Sequence, residues 1–277
     1  VLHNSSDWGG KPYSPDGRSV VFSSNRSGNM DLFVFDIDSG ELRQLIEGPA
    51  QDWDPAFTPD GREVLFSSDR SGNLEVWRVS VDGSDPRQVT TDGVSAENPT
   101  MTPNGEWIAY YGGDPAKPGL YRIRPDGSDA RVLVEGFLTV PDVSPDGRYV
   151  VYAQIGLAEL ESTIRVVEVE SGEPLPFVIT LSFDPLAANV TYGRSRWWPD
   201  GTAIAFLGLD EQGRTGVFLQ DFSPGEDTTA SRRKLAGFYD DVIIESFGIS
   251  PDGERVTLAV LHQESNLMVA EGVPGLE

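Results

Sequence analysis

Apolar positions come along this chain in short, dense bursts, each closed off by turn residues. The bursts are Val20-Val21-Phe22, Val64-Leu65-Phe66, Trp107-Ile108-Ala109-Tyr110, Tyr149-Val150-Val151-Tyr152, Ile204-Ala205-Phe206-Leu207 and Val256-Thr257-Leu258-Ala259-Val260. Runs this short, rich in β-branched and aromatic residues, predict strands buried on both faces. A second strand is predicted after each one, at Leu32-Phe33-Val34-Phe35, Glu75 to Val79, Leu120 to Ile123, Ile164 to Val167, Val217 to Leu219 and Leu267 to Val269. A third ends at Leu45, Val89 or Leu133, and a short strand is expected just ahead of each burst. No stretch holds a helical period.

The turn before each burst is one tetrapeptide, met six times: Ser14-Pro15-Asp16-Gly17, Thr58-Pro59-Asp60-Gly61, Thr102-Pro103-Asn104-Gly105, Ser144-Pro145-Asp146-Gly147, Trp198-Pro199-Asp200-Gly201 and Ser250-Pro251-Asp252-Gly253. Proline presets φ at the first central position, and Asp-Gly completes the reversal. The Asp/Asn positions are 44, 44, 42, 54 and 52 residues apart. Six such units of four antiparallel strands predict an all-β fold, a six-bladed β-propeller. The expected blades are 11–46, 55–90, 99–134, 140–181, 195–236 and 245–270, the last completed by residues 1–3. Leu2 precedes Asp16 by 14 residues, close to the 15 between Leu45 and Asp60, so Val1-Leu2-His3 takes the place of a fourth strand and clasps the ring. The whole chain is then one domain.

The segment from Pro55 to Asn73, Pro-x-Phe-Thr-Pro-Asp-Gly-Arg-x-Val-Leu-Phe-Ser-Ser-Asp-Arg-Ser-Gly-Asn, resembles the repeat of TolB-type, WD-like propellers. The resemblance covers all 277 residues. It implies the fold firmly and the function loosely. Such propellers serve in the periplasmic TolB protein, as modules beside bacterial kinases and transcription regulators, and beside or within some peptidases and sugar lyases. Lys117 to Gly127 and Glu264 to Gly272 are similar to the kinase-linked type, which implies a module of a larger bacterial protein. The resemblance is to the propeller, so contacts made by TolB's amino-terminal domain are not carried over.

Composition narrows the chemistry. There is no cysteine, hence no disulfide and no thiolate metal site. No apolar run approaches a membrane span. Beginning at Val1 without a signal peptide, the chain reads as a mature secreted form or an excised domain, and an extracytoplasmic or periplasmic setting is favoured. A net charge of −23 opposes nucleic acid and anionic membranes and keeps the protein soluble. A monomer is expected.

Catalytic signatures are missing. Two histidines, His3 and His262, fall short of the three placed ligands of a catalytic zinc site. There is no Gly-x-Ser-x-Gly elbow, and Gly9-Gly10-Lys11 lacks the spacing of a phosphate loop. Asp36-Ile37-Asp38-Ser39-Gly40 reads as a turn, not a calcium loop. Asn25/Arg26 and Asp69/Arg70 read as structural, with a paired ligand grip as the alternative. The expectation is therefore a non-catalytic protein without cofactor or metal, with a channel-sited sugar lyase or hydrolase as the alternative.

Binding is expected at the face with variable loops, opposite the tetrapeptides, since such loops on a rigid scaffold carry recognition. Phe183, Leu186 and Tyr192 in the insertion at 181–195 suit a cap over the channel. The candidate ligand-binding residues are Asp7, Trp8, Trp53, Asp54, Glu97, Asn98, Arg194, Arg196 and Glu245. They precede the expected innermost strands and would converge on the axis. Carboxylates and indoles there suit a cation. Arg194 and Arg196 either pair internally with Asp54 or Glu245 or grip a carboxylate. A protein or peptide partner, or a zwitterionic small ligand, fits this set.

Overall fold

A computed structural model describes residues 11–91, 93, 95–114, 116–156, 161–182, 194–240 and 242–262. Every named strand pairs antiparallel, and each sheet follows chain order. The first sheet holds β1 (Ser19–Ser24), β2 (Asp31–Asp36) and β3 (Leu42–Gln44). The second holds β4 (Asp52–Phe57), β5 (Glu63–Ser68), β6 (Glu75–Ser80) and β7 (Arg87–Gln88). The third runs β8 (Ala96–Met101), β9 (Ile108–Gly112), β10 (Gly119–Ile123) and β11 (Arg131–Glu135). The fourth runs β12 (Leu138–Val143), β13 (Tyr149–Gly156), β14 (Glu161–Glu168) and β15 (Pro174–Ser182). The fifth runs β16 (Ser195–Trp197), β17 (Ala203–Leu209), β18 (Thr215–Asp221) and β19 (Arg233–Gly237). The last pairs β20 (Val242–Ile249) with β21 (Val256–His262).

This is a propeller of antiparallel blades. The described residues build five of them and a two-stranded sheet in the sixth position, rather than six full blades. The first blade meets its innermost segment through an isolated Tyr13–Val20 bridge and a Val21 N–H to Pro12 O bond of 2.8 Å. Residues 267–269 and 1–3, expected to supply further strands of the sixth unit, lie outside the described residues. First and sixth units touch: Tyr13 shares a side-chain hydrogen bond with Thr257, and Pro12 packs directly on Gly248.

Each central strand sends alternate side chains to opposite neighbours. In β5, Val64 and Phe66 enter a core shared with the first blade, and Leu65 enters one shared with the third. In β13, Val150 and Tyr152 pack toward the third blade, and Val151 and Ala153 toward the fifth. In β17, Ile204 and Phe206 face the fourth, and Ala205 and Leu207 face β20. A strand buried on both faces must be apolar at every position, which is why the bursts are continuous. Each fully buried side chain contributes roughly 1.5–3 kcal/mol.

The tetrapeptide is a closed hydrogen-bonded device. Ser144 Oγ donates to Asp146 Oδ1 at 2.6 Å and accepts the Tyr149 N–H at 2.9 Å. Ser14 and Thr58 repeat both bonds, and Thr102 does so with Asn104. In the fifth unit Trp198 has no hydroxyl, and Thr202 bonds Asp200 from the other side at 2.6 Å. The outer turns share this face, because the Ile37, Val81, Val169 and Phe222 N–H groups bond the Arg18, Arg62, Arg148 and Thr202 carbonyls. The Asp36–Gly40 segment is such a turn, with Gly40 N–H on Asp36 O at 2.9 Å.

Innermost strands start earlier than the sequence suggests. Pro55, Pro99 and Pro141 lack an N–H, so strand pairing is expected to begin there. Instead the chain bulges and pairs again upstream: register shifts fall between Trp53 and Ala56, Glu97 and Thr100, and Thr139 and Asp142. Asp54, Asn98 and Val140 take φ of 52°, 55° and 34° at these bulges. Trp53 therefore lies inside β4, not before it. Likewise β15 extends to Ser182, so the insertion begins later than residue 181; Phe183, Leu186 and Tyr192 lie outside the described residues.

Arg70 donates twice to Asp52 at 2.9 Å and lies over Phe66 and Trp77, while Arg26 lies over Phe22 and Phe33. Asp69 accepts the Gln51 N–H at 2.8 Å. These repeated pairs do structural work. The 223–234 segment holds a short 3₁₀ turn, and its Arg232 folds over Phe206. No helix among the described residues is long and apolar enough to cross a membrane.

Ser144→Ala keeps the turn's Pro and Gly but removes both hydroxyl bonds. We expect a loss of about 1 kcal/mol, seen as a fall of about 2–4 °C in Tm for a chain of this size. An unchanged melting curve would show that backbone geometry alone sustains the turn.

Candidate functional site

Blades that are not neighbours can touch only at the axis, and several charged pairs do. Lys11, from the first unit, donates to Val143 O in the fourth at 2.7 Å, and its Nζ lies 3.4 Å from Asp142 Oδ1. Asp54, in the second blade, interacts with Arg194 and Arg196 of the fifth. The innermost strands thus carry a charged channel core.

Position along those strands sorts the core into two layers. Pro12, Asp142 and Arg196 stand two residues before their tetrapeptides and line the end nearer the turns. Asp54, Asn98 and Arg194 stand four before, and Glu97 and Glu245 five before, nearer the variable loops.

In the variable-loop layer Asp54 is the centre. It is 6% exposed and accepts a hydrogen bond from Ser67 Oγ at 3.2 Å. Ser67 Oγ in turn accepts the Asn98 N–H at 3.2 Å. Burial pushes the Asp54 carboxyl up to about 6, and Arg194 beside it opposes that rise. Burial lowers Arg194 to about 10, against the pull of Asp54 and Glu245. Glu97 is raised by burial and by the Asp54 charge. Glu245 is raised by burial, with Arg194 opposing. Two carboxylates, Asp54 and Glu245, therefore face the Arg194 guanidinium, and Glu97 stands beside Asp54.

In the turn-side layer Asp142 is 1% exposed and accepts the Trp197 N–H at 2.8 Å. Burial lowers the Arg196 guanidinium, opposed by Asp142 and Asp54. A cavity of about 320 Å³ opens from this layer onto the tetrapeptide face, not the variable one.

The structure brings together Asp54, Glu97, Asn98, Arg194, Arg196 and Glu245 of the candidate residues. Arg194 interacts electrostatically with Asp54 and Glu245, and Arg196 with Asp142 and Asp54. Trp53 is partly exposed on β4. Asp7 and Trp8 lie outside the described residues, as does His3. Lys11 and Asp142 complete the channel and were not among the candidates. Lys11 offered one signal, being one of three lysines in a chain whose cations are otherwise arginine. Among the described residues, no group of three His, Cys, Asp or Glu stands ready for a metal.

Fold and channel together define a β-propeller with a charged axis. The family is then settled by sequence: the model of the TolB beta propeller domain matches residues 4–173, and the chain belongs to that family. No curated protein matches the sequence. Among solved structures, TolB from Acinetobacter baumannii is similar with a TM-score of 0.54 and 20% identity, over 62% of this chain and 43% of that one. Oligogalacturonate lyase from Vibrio parahaemolyticus is similar at 0.59 and 14%, over 91% and 70%. A puromycin-hydrolyzing peptidase of Mycobacterium tuberculosis is similar at 0.57 and 16%, over 93% and 47%. The chain thus spans less than half the length of the TolB and of the peptidase, and these likenesses are of fold.

Because Asp54 holds its proton more tightly when folded, its contribution to stability is fullest below about pH 4 and is lost as pH rises through about 6. Asp54→Asn removes this dependence. The stability of wild type relative to Asp54→Asn should fall by up to about 3 kcal/mol between about pH 4 and pH 7, measured by urea unfolding across that range. A pH-independent difference would contradict the buried, titrating carboxyl.

Proposed function

We propose that this chain is a non-catalytic binding module, a single domain whose ring of six blades is completed by residues 1–3. It binds at the variable-loop end of its channel a peptide segment or small ligand that carries a cation beside a carboxylate. The observation that carries this reading is the excess of carboxylates in one layer, Asp54 and Glu245 facing Arg194 and Glu97 beside Asp54. Buried walls focus such a field and draw a cation inward, and a guanidinium such as Arg194 is a suitable partner for the ligand's carboxylate. TolB propellers within the family support a scaffold role.

A second reading, a channel-sited lyase or hydrolase, is favoured by one observation. Asp54 titrates near 6, within reach of general acid–base work at neutral pH. The fold shared with oligogalacturonate lyase is consistent with it. Turnover of an oligosaccharide, ester or peptide by the purified chain, abolished by Asp54→Asn, would replace the binding proposal.

Two outcomes are expected. Calorimetry with arginine-containing tripeptides should show binding that weakens at least about tenfold in a Trp53→Ala, Asp54→Ala double variant, and that fades below about pH 6 as Asp54 takes up a proton. Equal affinity in both proteins would dispose of the site. Deleting residues 1–4 should lower Tm by removing the closing strand, and an unchanged Tm would show that this clasp is not made.

A further inference from the structure

The turn-side cavity differs from the rest of the protein in both shape and charge. Its rim is made by all six tetrapeptide prolines, Pro15, Pro59, Pro103, Pro145, Pro199 and Pro251. Proline rings present C–H surface and no N–H donor. Tyr13, Phe57, Met101 and Ile249 continue this apolar wall inward. The rim is also built firmly. A Cβ on Gly61, Gly147 or Gly17 would lie 3.3, 3.2 or 3.6 Å from Pro15, Pro103 or Pro251 of the preceding unit, so each glycine sits against its neighbour's ring.

The floor is charged. Lys11, Asp142 and Arg196 are the ionisable residues lining the cavity besides Tyr13. Asp142 Oδ2 takes the Trp197 N–H at 2.8 Å, and Oδ1 stands 3.4 Å from the Lys11 ammonium as an ion pair without a hydrogen bond. Its side chain is 2% exposed, whereas that of Lys11 is 35% exposed. An ammonium has three hydrogens. Val143 O accepts one of them, and the side chain keeps part of its surface open to solvent. Two cations against one carboxylate leave this floor positive, in a chain whose net charge is −23.

We propose that this proline-rimmed cavity is a second ligand site, at the opposite end of the channel, for a small monocarboxylate with a flat apolar body. The apolar part lies among the proline rings, Phe57 and Met101. The carboxylate takes a hydrogen of the part-exposed Lys11 ammonium, within the field of Arg196. A single part-exposed ammonium in an apolar collar suits one planar anion, whereas a phosphate dianion would leave most of its acceptors unmet. A cavity of about 320 Å³ is of the size that encloses such a molecule.

The test uses three probes of one shape: 3-phenylpropionate, 3-phenylpropan-1-ol and 3-phenylpropylammonium, titrated at fixed ionic strength with calorimetry and indole fluorescence. The acid should bind at least about tenfold tighter than the alcohol, and the amine weakest of all. Lys11→Met should bring the acid and the alcohol to within about threefold, and Lys11→Arg should restore the preference. Equal binding of acid and alcohol by the wild type, a preference for the amine, no binding of any probe, or an acid preference that survives Lys11→Met would each overturn the proposal. The wild-type series is decisive by itself should Lys11→Met fail to fold. Because the probe expected to bind here is an anion with no cationic group, unlike the arginine peptides, failure at one mouth leaves the other reading standing.

Discussion

The charged channel depends on a missing donor. Pro55, Pro99 and Pro141 each remove one N–H from an innermost strand, and that strand cannot keep a regular ladder through them. The chain answers with a bulge, and the residue before the proline is thrown into the left-handed region. Two of these residues are Asp54 and Asn98, whose short polar side chains tolerate that conformation better than most. The same event therefore bends the strand and delivers a carboxylate to the axis. Val140 occupies the third bulge, and a β-branched residue at positive φ is strained. The next position inward on its strand is Asp142, which anchors Trp197 and Lys11. Backbone strain and channel chemistry are thus placed on the same three-residue stretch.

Around that core the blades impose their own requirement. A strand such as β5 lends Phe66 to one interface and Leu65 to another. Neither interface exists without both blades, so stability is shared round the ring rather than owned by any unit. The tetrapeptide face tightens this further, since each unit's turn glycine abuts the ring of the turn before it at most junctions. Trp198 takes part in this stacking against Gly253 although it breaks the hydroxyl pattern. The turn-side rim is tightly packed for these reasons, while the loops of the other face differ from unit to unit.

Much of this was legible in the sequence because it recurs. The tetrapeptides, the continuous apolar bursts and the near-identical Asn25–Asn29 and Asp69–Asn73 links announce their structure six times or twice over. The convergence of Asp54, Glu97, Arg194 and Glu245 was also legible, since equivalent positions in a ring meet at its axis. What escaped is what does not repeat. Lys11 and Asp142 are partners across opposite blades, more than a hundred residues apart, and nothing local links them. The strand starts were misjudged because proline signals a break in pairing but not whether pairing resumes behind it. Loop variability and converging charges point to binding at the variable mouth, and neither signals a cavity at the other end. That six prolines would close into one apolar rim follows from three-dimensional stacking, not from spacing.

The two layers carry opposite charge within one narrow channel, and this asymmetry explains why so many buried ionisable groups are tolerated. An isolated buried charge is costly, and a pair of unlike charges recovers only part of that cost. Here Arg194 stands with Asp54 and Glu245, and Glu97 beside Asp54, while Lys11 and Arg196 stand with Asp142, so an excess negative layer lies next to an excess positive one. Asp54 interacts with Arg196 as well as Arg194, which ties the layers together. Loss of the Asp54 charge on protonation then weakens the hold on both arginines at once. The turn-side floor becomes more positive as the variable-side mouth becomes less negative. A proton taken up at one carboxyl near neutral pH is in this way felt in both layers of the channel.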